Sequence, residues 1–234
     1  MKHHNATGRQ LQKFAACLLT ATLLMLSGAA TLAADWVYTV RPGDNLRDLG
    51  ETHLSSMKYW NPLLQHNGIS DPRQISPGSR LKFPVAWMKR QPAGATVVQL
   101  RGEVLLVSAA DGNTRPLTVN TRLYSGDLVR TGPNGNLSIR FADGSELLVL
   151  SDSEVIMDSL SAYGTTGMVD TRVRLQGGRV DTRVEPGQGP GSRYQIITPA
   201  AVAAVRGTEF RVSADTDRPV ARSAPTCRGS ARSA

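Results

Sequence analysis

The chain has 234 residues, 40% hydrophobic and 5% aromatic, with a formal net charge of +8. That length accommodates one ordinary domain plus a small one, or two modest domains. The excess charge sits at the ends. Lys2, Arg9 and Lys13 precede the first acid, and Arg218, Arg222, Arg228 and Arg232 lie in a final stretch without acids, so residues 14–217 are nearly neutral. A nucleic-acid footprint is a basic patch on a folded surface, and this distribution argues against a nucleic-acid partner.

From Phe14 to Ala34 there is no charge, and Thr31-Leu32-Ala33 places small residues at a cleavage-type exit. A basic start, an apolar centre and a small-residue exit describe a secretory signal peptide over residues 1–33. The rival reading is an uncleaved anchor, the chain's one route to a membrane, because the run is long enough to span a bilayer core. Either way the rest of the chain is expected in the periplasm or cell envelope. Cys17 comes too early in the apolar run for a lipoprotein site, and Cys227 is the one cysteine beyond it, so no intramolecular disulfide is expected.

Trp36-Val37-Tyr38-Thr39-Val40 is rich in β-branched and aromatic residues and predicts a short strand. Pro42-Gly43 is a turn pair, and Asp44 or Asn45 can cap a following helix. Leu46, Leu49 and Leu54 follow at helical spacing. The stripe breaks near Tyr59-Trp60, and Asn61-Pro62 predicts a second helix start, with Asn as cap and Pro at the first position. Asn67-Gly68 predicts its end. A loop, Ser70 to Gln74, leads through Pro77-Gly78 to a closing strand, Leu81-Lys82-Phe83-Pro84.

These residues, YTVRPGDNL…NGISDP…ISPGSRLKFP, closely resemble the LysM module over about residues 36–85. The resemblance implies a small α+β (βααβ) fold that binds N-acetylglucosamine-containing glycans, chiefly peptidoglycan and chitin. Its groove lies between the loop after the first strand and the loop before the last. Carried over, it implicates Gly43, Asp44, Asn45 and Leu46 on one side and Gly68, Ile69, Ser70 and Pro77 on the other. An N-acetyl group offers one donor, one acceptor and a methyl, which loop amides and a small apolar shelf match. Asn45 stands where the family usually has Thr, and Gly50 where it commonly has Ala; in a helix glycine costs about 1 kcal/mol relative to alanine.

Residues 89–94 are expected as a linker. Beyond them strand-like segments recur at Val97–Leu100, Val104–Val107, Leu137–Phe141, Glu146–Leu150, Val173–Leu175, Gly178–Val180, Tyr194–Ile197 and Glu209–Val212. Asp111-Gly112, Asn134-Gly135 and Asp143-Gly144 punctuate them as tight-turn dipeptides. The pattern predicts an all-β domain, leaving a twisted sheet, a sandwich and a solenoid open.

Gly126–Gly132, Phe141–Ser145 and TPAAVAAVRGTEFRV (198–212) resemble the periplasmic FecR domain over about residues 95–214. The family implies a signalling or sensing surface. Signalling members carry a cytoplasmic anti-sigma region before a membrane helix, and the 13 residues ahead of the apolar run here are too few for one. Within the VRGTEF string, Arg206 and Glu209 are candidate contacts for an unidentified envelope protein; the plainer reading is a turn that registers the last strands. Residues 218–234 lack any apolar period, so a disordered tail and a shifted reading frame both stay open.

No catalytic, metal or cofactor site is expected. His3 and His4 lie in the leader, His53 and His66 fall on predicted helices with surface or helix-end roles, and the β domain has no His. No His/Cys cluster has metal-ligand spacing. Asp143 and Glu146 carry nothing to distinguish them from turn and surface residues. The expected function is therefore an exported peptidoglycan-binding protein that anchors an interaction or sensing domain at the wall. The alternative is a signalling component whose second domain binds a protein, with the first module as a spacer.

Overall fold

The computed structural model describes residues 34–205, 207–214 and 219–222, the last four as backbone. The signal-peptide expectation, Cys17, Cys227, Arg206 and the end of the tail lie outside the described residues. Among those described, no helix is long and apolar enough to cross a membrane.

The first module opens with β1 (Asp35–Thr39), which pairs antiparallel with β2 (Arg80–Pro84) so that Trp36 faces Phe83 and Tyr38 faces Leu81 across the ladder. Between them run α1 (Leu46–His53), a 3-10 turn (Met57–Tyr59) and α2 (Trp60–His66). Asn45 caps α1: its side chain accepts from Arg47 N at 2.9 Å, satisfying a donor that the first turn would leave free. Asn61 does not cap α2. The 3-10 turn, capped by Ser56, feeds the helix directly, so α2 begins at Trp60 and Asn61 lies inside it. Asn67 does more than end the helix. Its amide donates to Leu63 O and Lys82 O, each at 2.9 Å, and its carbonyl accepts from Lys82 N at 2.7 Å. One side chain thus ties the end of α2 to β2.

Val40, Leu46, Leu49, Leu54, Leu63, Leu81 and Phe83 form the core between helices and ladder. A Cβ at Gly50 would lie 2.9 Å from the Trp60 ring, so the helical advantage of alanine is offset by overpacking at this position.

The second part is all-β: β3 (Gln91–Pro92), β4 (Ala95–Arg101), β5 (Val104–Val107), β6 (Thr114–Pro116), β7 (Arg122–Leu123), β8 (Leu128–Thr131), β9 (Asn136–Arg140), β10 (Glu146–Val149), β11 (Glu154–Ala162), β12 (Val169–Arg183), β13 (Arg193–Ile197), β14 (Val202–Val205), β15 (Glu209–Ala214) and β16 (Pro219–Arg222). Two strand sets share the 15-residue β12. Its first half pairs with β11 and, in parallel, with β13; its second half pairs antiparallel with β10 and β15. The order β6-β5-β8-β11-β12-β10-β9-β4-β7 therefore curls around one core, resolving the architecture as a single curled sheet.

Alternation fills that core. Val97, Leu106, Val129, Ile139, Leu147, Val155, Val173, Val180 and Ile196 are all essentially inaccessible, while their chain neighbours point outward. One buried polar pair in this core is satisfied: Thr182 Oγ1 and Tyr194 Oη lie 2.8 Å apart, and Thr182 also donates to Glu146 O at 2.8 Å. Burial pushes the Tyr194 hydroxyl well above its ordinary value.

Asp143-Gly144 turns between paired β9 and β10, as its dipeptide predicts, with Gly144 at φ 89°. Asn134-Gly135 does not join paired strands: β8 pairs with β5 and β11, β9 with β4 and β10, so this turn carries the chain from one strand set to the other. A Cβ on Gly135 would lie 2.9 Å from Gly132 N and still closer to Glu103 O. Glycine is required there by close approach of two loops.

Candidate functional site

Two loops of the first module are braced before any ligand arrives. Asp44 accepts from Arg41 N and from the Tyr38 hydroxyl, each at 2.7 Å, which closes the turn after β1. The Arg41 backbone N–H, with the Tyr38 hydroxyl second, holds the Asp44 carboxyl below its ordinary range; donating to that carboxylate in turn raises the Tyr38 hydroxyl. Across from it, Asp71 accepts from Arg73 N at 2.9 Å and from Gln74 Nε2 at 3.0 Å, closing the loop before β2.

Between these loops lies a groove of ≈ 790 Å³ lined by Asp44, Asn45, Leu46 and Arg47 on one wall and Pro72, Arg73 and Ile75 on the other, with Met57 and Trp60 completing its lining. Met57 is 42% exposed, large for a methionine beside a core, and it forms with Trp60, Pro72 and Ile75 an apolar shelf rimmed by polar groups. Arg47 is held by Glu51 one turn along α1 at 3.0 Å. Such a groove matches a small neutral ligand that has both an apolar face and amide or hydroxyl groups.

Of the residues the sequence singled out, Asp44, Asn45 and Leu46 line this groove; Leu46 is 1% exposed and contributes chiefly as core. Gly43 sits in the exposed turn at φ 87°, Gly68 ends α2 at φ 64°, and Ile69 packs on the core. Ser70 and Pro77 are exposed on the loop to β2, and neither they nor Gly43, Gly68 and Ile69 are among the lining residues. Sequence reasoning named three residues of the first wall, Asp44, Asn45 and Leu46, but none of Pro72, Arg73 and Ile75 on the second, and it missed Met57 and Trp60. The long connection after α1 was the signal for Met57 and Trp60, since the 3-10 turn built from it brings both to the groove.

Glu209 is exposed and faces Arg183 across the β12–β15 ladder, Nε to Oε1 3.6 Å. His66 is at a helix end, 2.9 Å from Asp35. His53 departs from expectation: it is 7% exposed, its ring 4.9 Å from Trp36 and 5.5 Å from Phe83. As the last residue of α1, four after Leu49, it continues the buried stripe.

Burial lowers the His53 pKa from its ordinary 6.5. The unfolded chain therefore binds a proton more readily than the folded one, so this group destabilises the fold as pH falls below about 6.5. The tryptophan-fluorescence melting midpoint is expected to drop between pH 7.5 and pH 5, with a shallower drop in His53→Leu. Equal slopes in both proteins would remove His53 as the cause.

Residues 38–84 match the model of the LysM domain, and residues 127–222 match that of the FecR protein family, in the order expected. Over 50 residues the chain is 38% identical to an uncharacterized protein of Deinococcus radiodurans; the match takes in 21% of this chain and only 20% of that relative's length. A solved structure described as a cell surface anchoring domain aligns with 27% of this chain and 83% of its own, at 31% identity and a TM-score of 0.26.

Proposed function

We propose, for a chain that carries a LysM domain followed by a FecR domain, that it is an exported binding protein of the cell envelope. Its first module holds N-acetylglucosamine-containing glycan, chiefly peptidoglycan, and its sheet meets a protein partner in the periplasm. The observation that carries the reading is the braced groove with an apolar shelf and polar walls. The acetyl methyl and a sugar face would rest on Met57, Trp60 and Ile75, while the hydroxyls and amide meet the walls at Asn45 and the two loops. A single small groove binds weakly, and a polymeric wall supplies avidity through many closely spaced sites. This function is binding rather than catalysis.

The chain is expected to pellet with purified peptidoglycan and to be released by N-acetylglucosamine oligomers. A chain that stays in the supernatant, or that pellets but ignores the oligomers, would overturn the glycan reading.

One observation favours a protein-binding role for the sheet, whether as cargo on a wall anchor or as the main function with the first module as spacer. Natural edge strands are guarded by charge or proline. β3 has Pro92, β6 has Arg115 and Pro116, and β7 has Arg122. β14 is Val-Ala-Ala-Val, pairs only with β13 among the described residues, and exposes 63% of Val202. An unguarded apolar edge of this kind suits addition of an extended, uncharged strand from a partner.

A further inference from the structure

Tyr163 and Met168 belong to the turn joining β11 to β12, yet both pack into the hydrophobic cluster of the first module rather than into the core of the sheet. They are 4% and 0% exposed. The turn is fixed by Tyr163 N donating to Met168 O at 3.0 Å and by the Thr166 hydroxyl donating to Tyr163 O at 2.7 Å. The loop before β13 closes over the same place. Gly191 N donates to Met168 Sδ at 3.3 Å, and a Cβ on Gly191 would lie 3.1 Å from both Met168 Sδ and Val85 Cγ1. A Cβ on Gly189 would lie 3.0 Å from the same sulfur and 3.8 Å from Trp36 Cδ1. Side chains of the first module and of the sheet therefore share one packed space, in which an added carbon at either glycine would press on the Met168 sulfur.

The connection at residues 89–94 reinforces this contact. Lys89 N donates to His53 O at 2.7 Å, Gln91-Pro92 pair with Ser161-Ala162 of β11, and Ala93 N donates to Leu160 O at 2.9 Å. The Arg90 guanidinium lies 5.5 Å over the Tyr163 ring and 3.7 Å from Asp170 Oδ2. Asp170 is 2% exposed; its Oδ2 also receives Arg172 Nη2 at 3.1 Å, and its Oδ1 has no partner among the described residues. A buried carboxylate in that setting depends on its two arginines. One of them is delivered by the connection.

We infer that the LysM module and the FecR-type sheet are a single cooperative body, with Met168 and Tyr163 as the plug and Arg90 on Asp170 as the clasp. A tethered module would turn freely and report nothing to its neighbour. A docked one fixes the direction in which the groove faces, and whatever stabilises the groove stabilises the sheet as well. That last consequence rests on the glycan reading; the docking itself does not.

Its test therefore uses no sugar. Trp36, Trp60 and Trp87 are the protein's three tryptophans, and all lie in the first module or just beyond β2. Tryptophan fluorescence follows that module, whereas far-ultraviolet circular dichroism follows chiefly the strands. In thermal unfolding of the whole chain the two probes are expected to give one coincident transition. Met168→Lys places a charge in the plug and is expected to lower the fluorescence midpoint by about 5 °C or more, with the strand signal falling beside it or parting from it. Arg90→Met, at a half-exposed position that leaves folding intact, is expected to do the same to a smaller degree. Two separate transitions in the unaltered chain, or variants that leave both midpoints in place, would overturn the inference.

Discussion

Met57→Asp is expected to weaken glycan binding by more than about tenfold while leaving the melting midpoint of the chain nearly unchanged. The side chain is 42% exposed at the start of a 3-10 turn, so the fold has little stake in it. In the groove, however, it is part of the apolar shelf with Trp60 and Ile75. A carboxylate there must be desolvated against a sugar's methyl or ring face. A tenfold loss corresponds to about 1.4 kcal/mol, well within what removing one central contact causes. Met57→Leu keeps the shelf and is expected to keep most of the affinity. Titration with a chitin oligomer, read by the fluorescence of Trp60 beside the ligand, checks both. Affinity unchanged within about twofold in Met57→Asp would place the glycan elsewhere.

Gly178→Ala is expected to destabilise the chain by about 2–4 kcal/mol. Gly178 stands at φ 91°, where β12 leaves one strand set for the other, and an added Cβ would collide with Ser153 Oγ and come within 2.6 Å of Asp152 O. The loss extends beyond the residue. Ser153 Oγ accepts from Arg179 N at 2.9 Å and donates to Arg179 O at 3.2 Å, pinning the crossing strand. Gly177 provides the control, because its Cβ would meet nothing within 4 Å. Urea unfolding is expected to show Gly177→Ala close to the unaltered chain and Gly178→Ala far below it; equal midpoints would mean that the crossing does not need its glycine.

Much of the first module was legible in the sequence because its signals are local. Pro42-Gly43, Asn45 and Asn67-Gly68 act within a turn or a helix end, and the structure uses each nearby. The groove was half legible. Its first wall follows from the turn at Pro42-Gly43 and the cap at Asn45, but Pro72, Arg73 and Ile75 come from the later loop closed by Asp71. Met57 and Trp60 reach the groove through the 3-10 turn, whose geometry depends on Ser56 and on Trp60 packing against Gly50. The burial of His53 escaped because a histidine at a helix end reads as polar, and only the ring of Trp36, Tyr38 and Phe83 around it shows otherwise.

In the sheet, strands of clean alternation such as β9 and β10 were visible. β11 was not: bulges between Glu154 and Val155 and between Ile156 and Ser159 break its period, and Asp158, Ser159 and Ser161 dilute its apolar face. β12 read as two strands because Gly177-Gly178 interrupts it, whereas the chain runs straight through and changes partners. The docking of Met168 and Tyr163 on the first module had no sequence signal at all, since an apolar residue beside a turn does not state which core it joins.

The most direct test of the central claim is a titration of the isotope-labelled chain with a chitin oligomer, followed by amide chemical shifts. The groove predicts changes concentrated at residues 44–47, 57–60 and 72–75, with the β14 edge silent. Shifts that gather outside those three stretches, or a spectrum indifferent to the sugar, would contradict it.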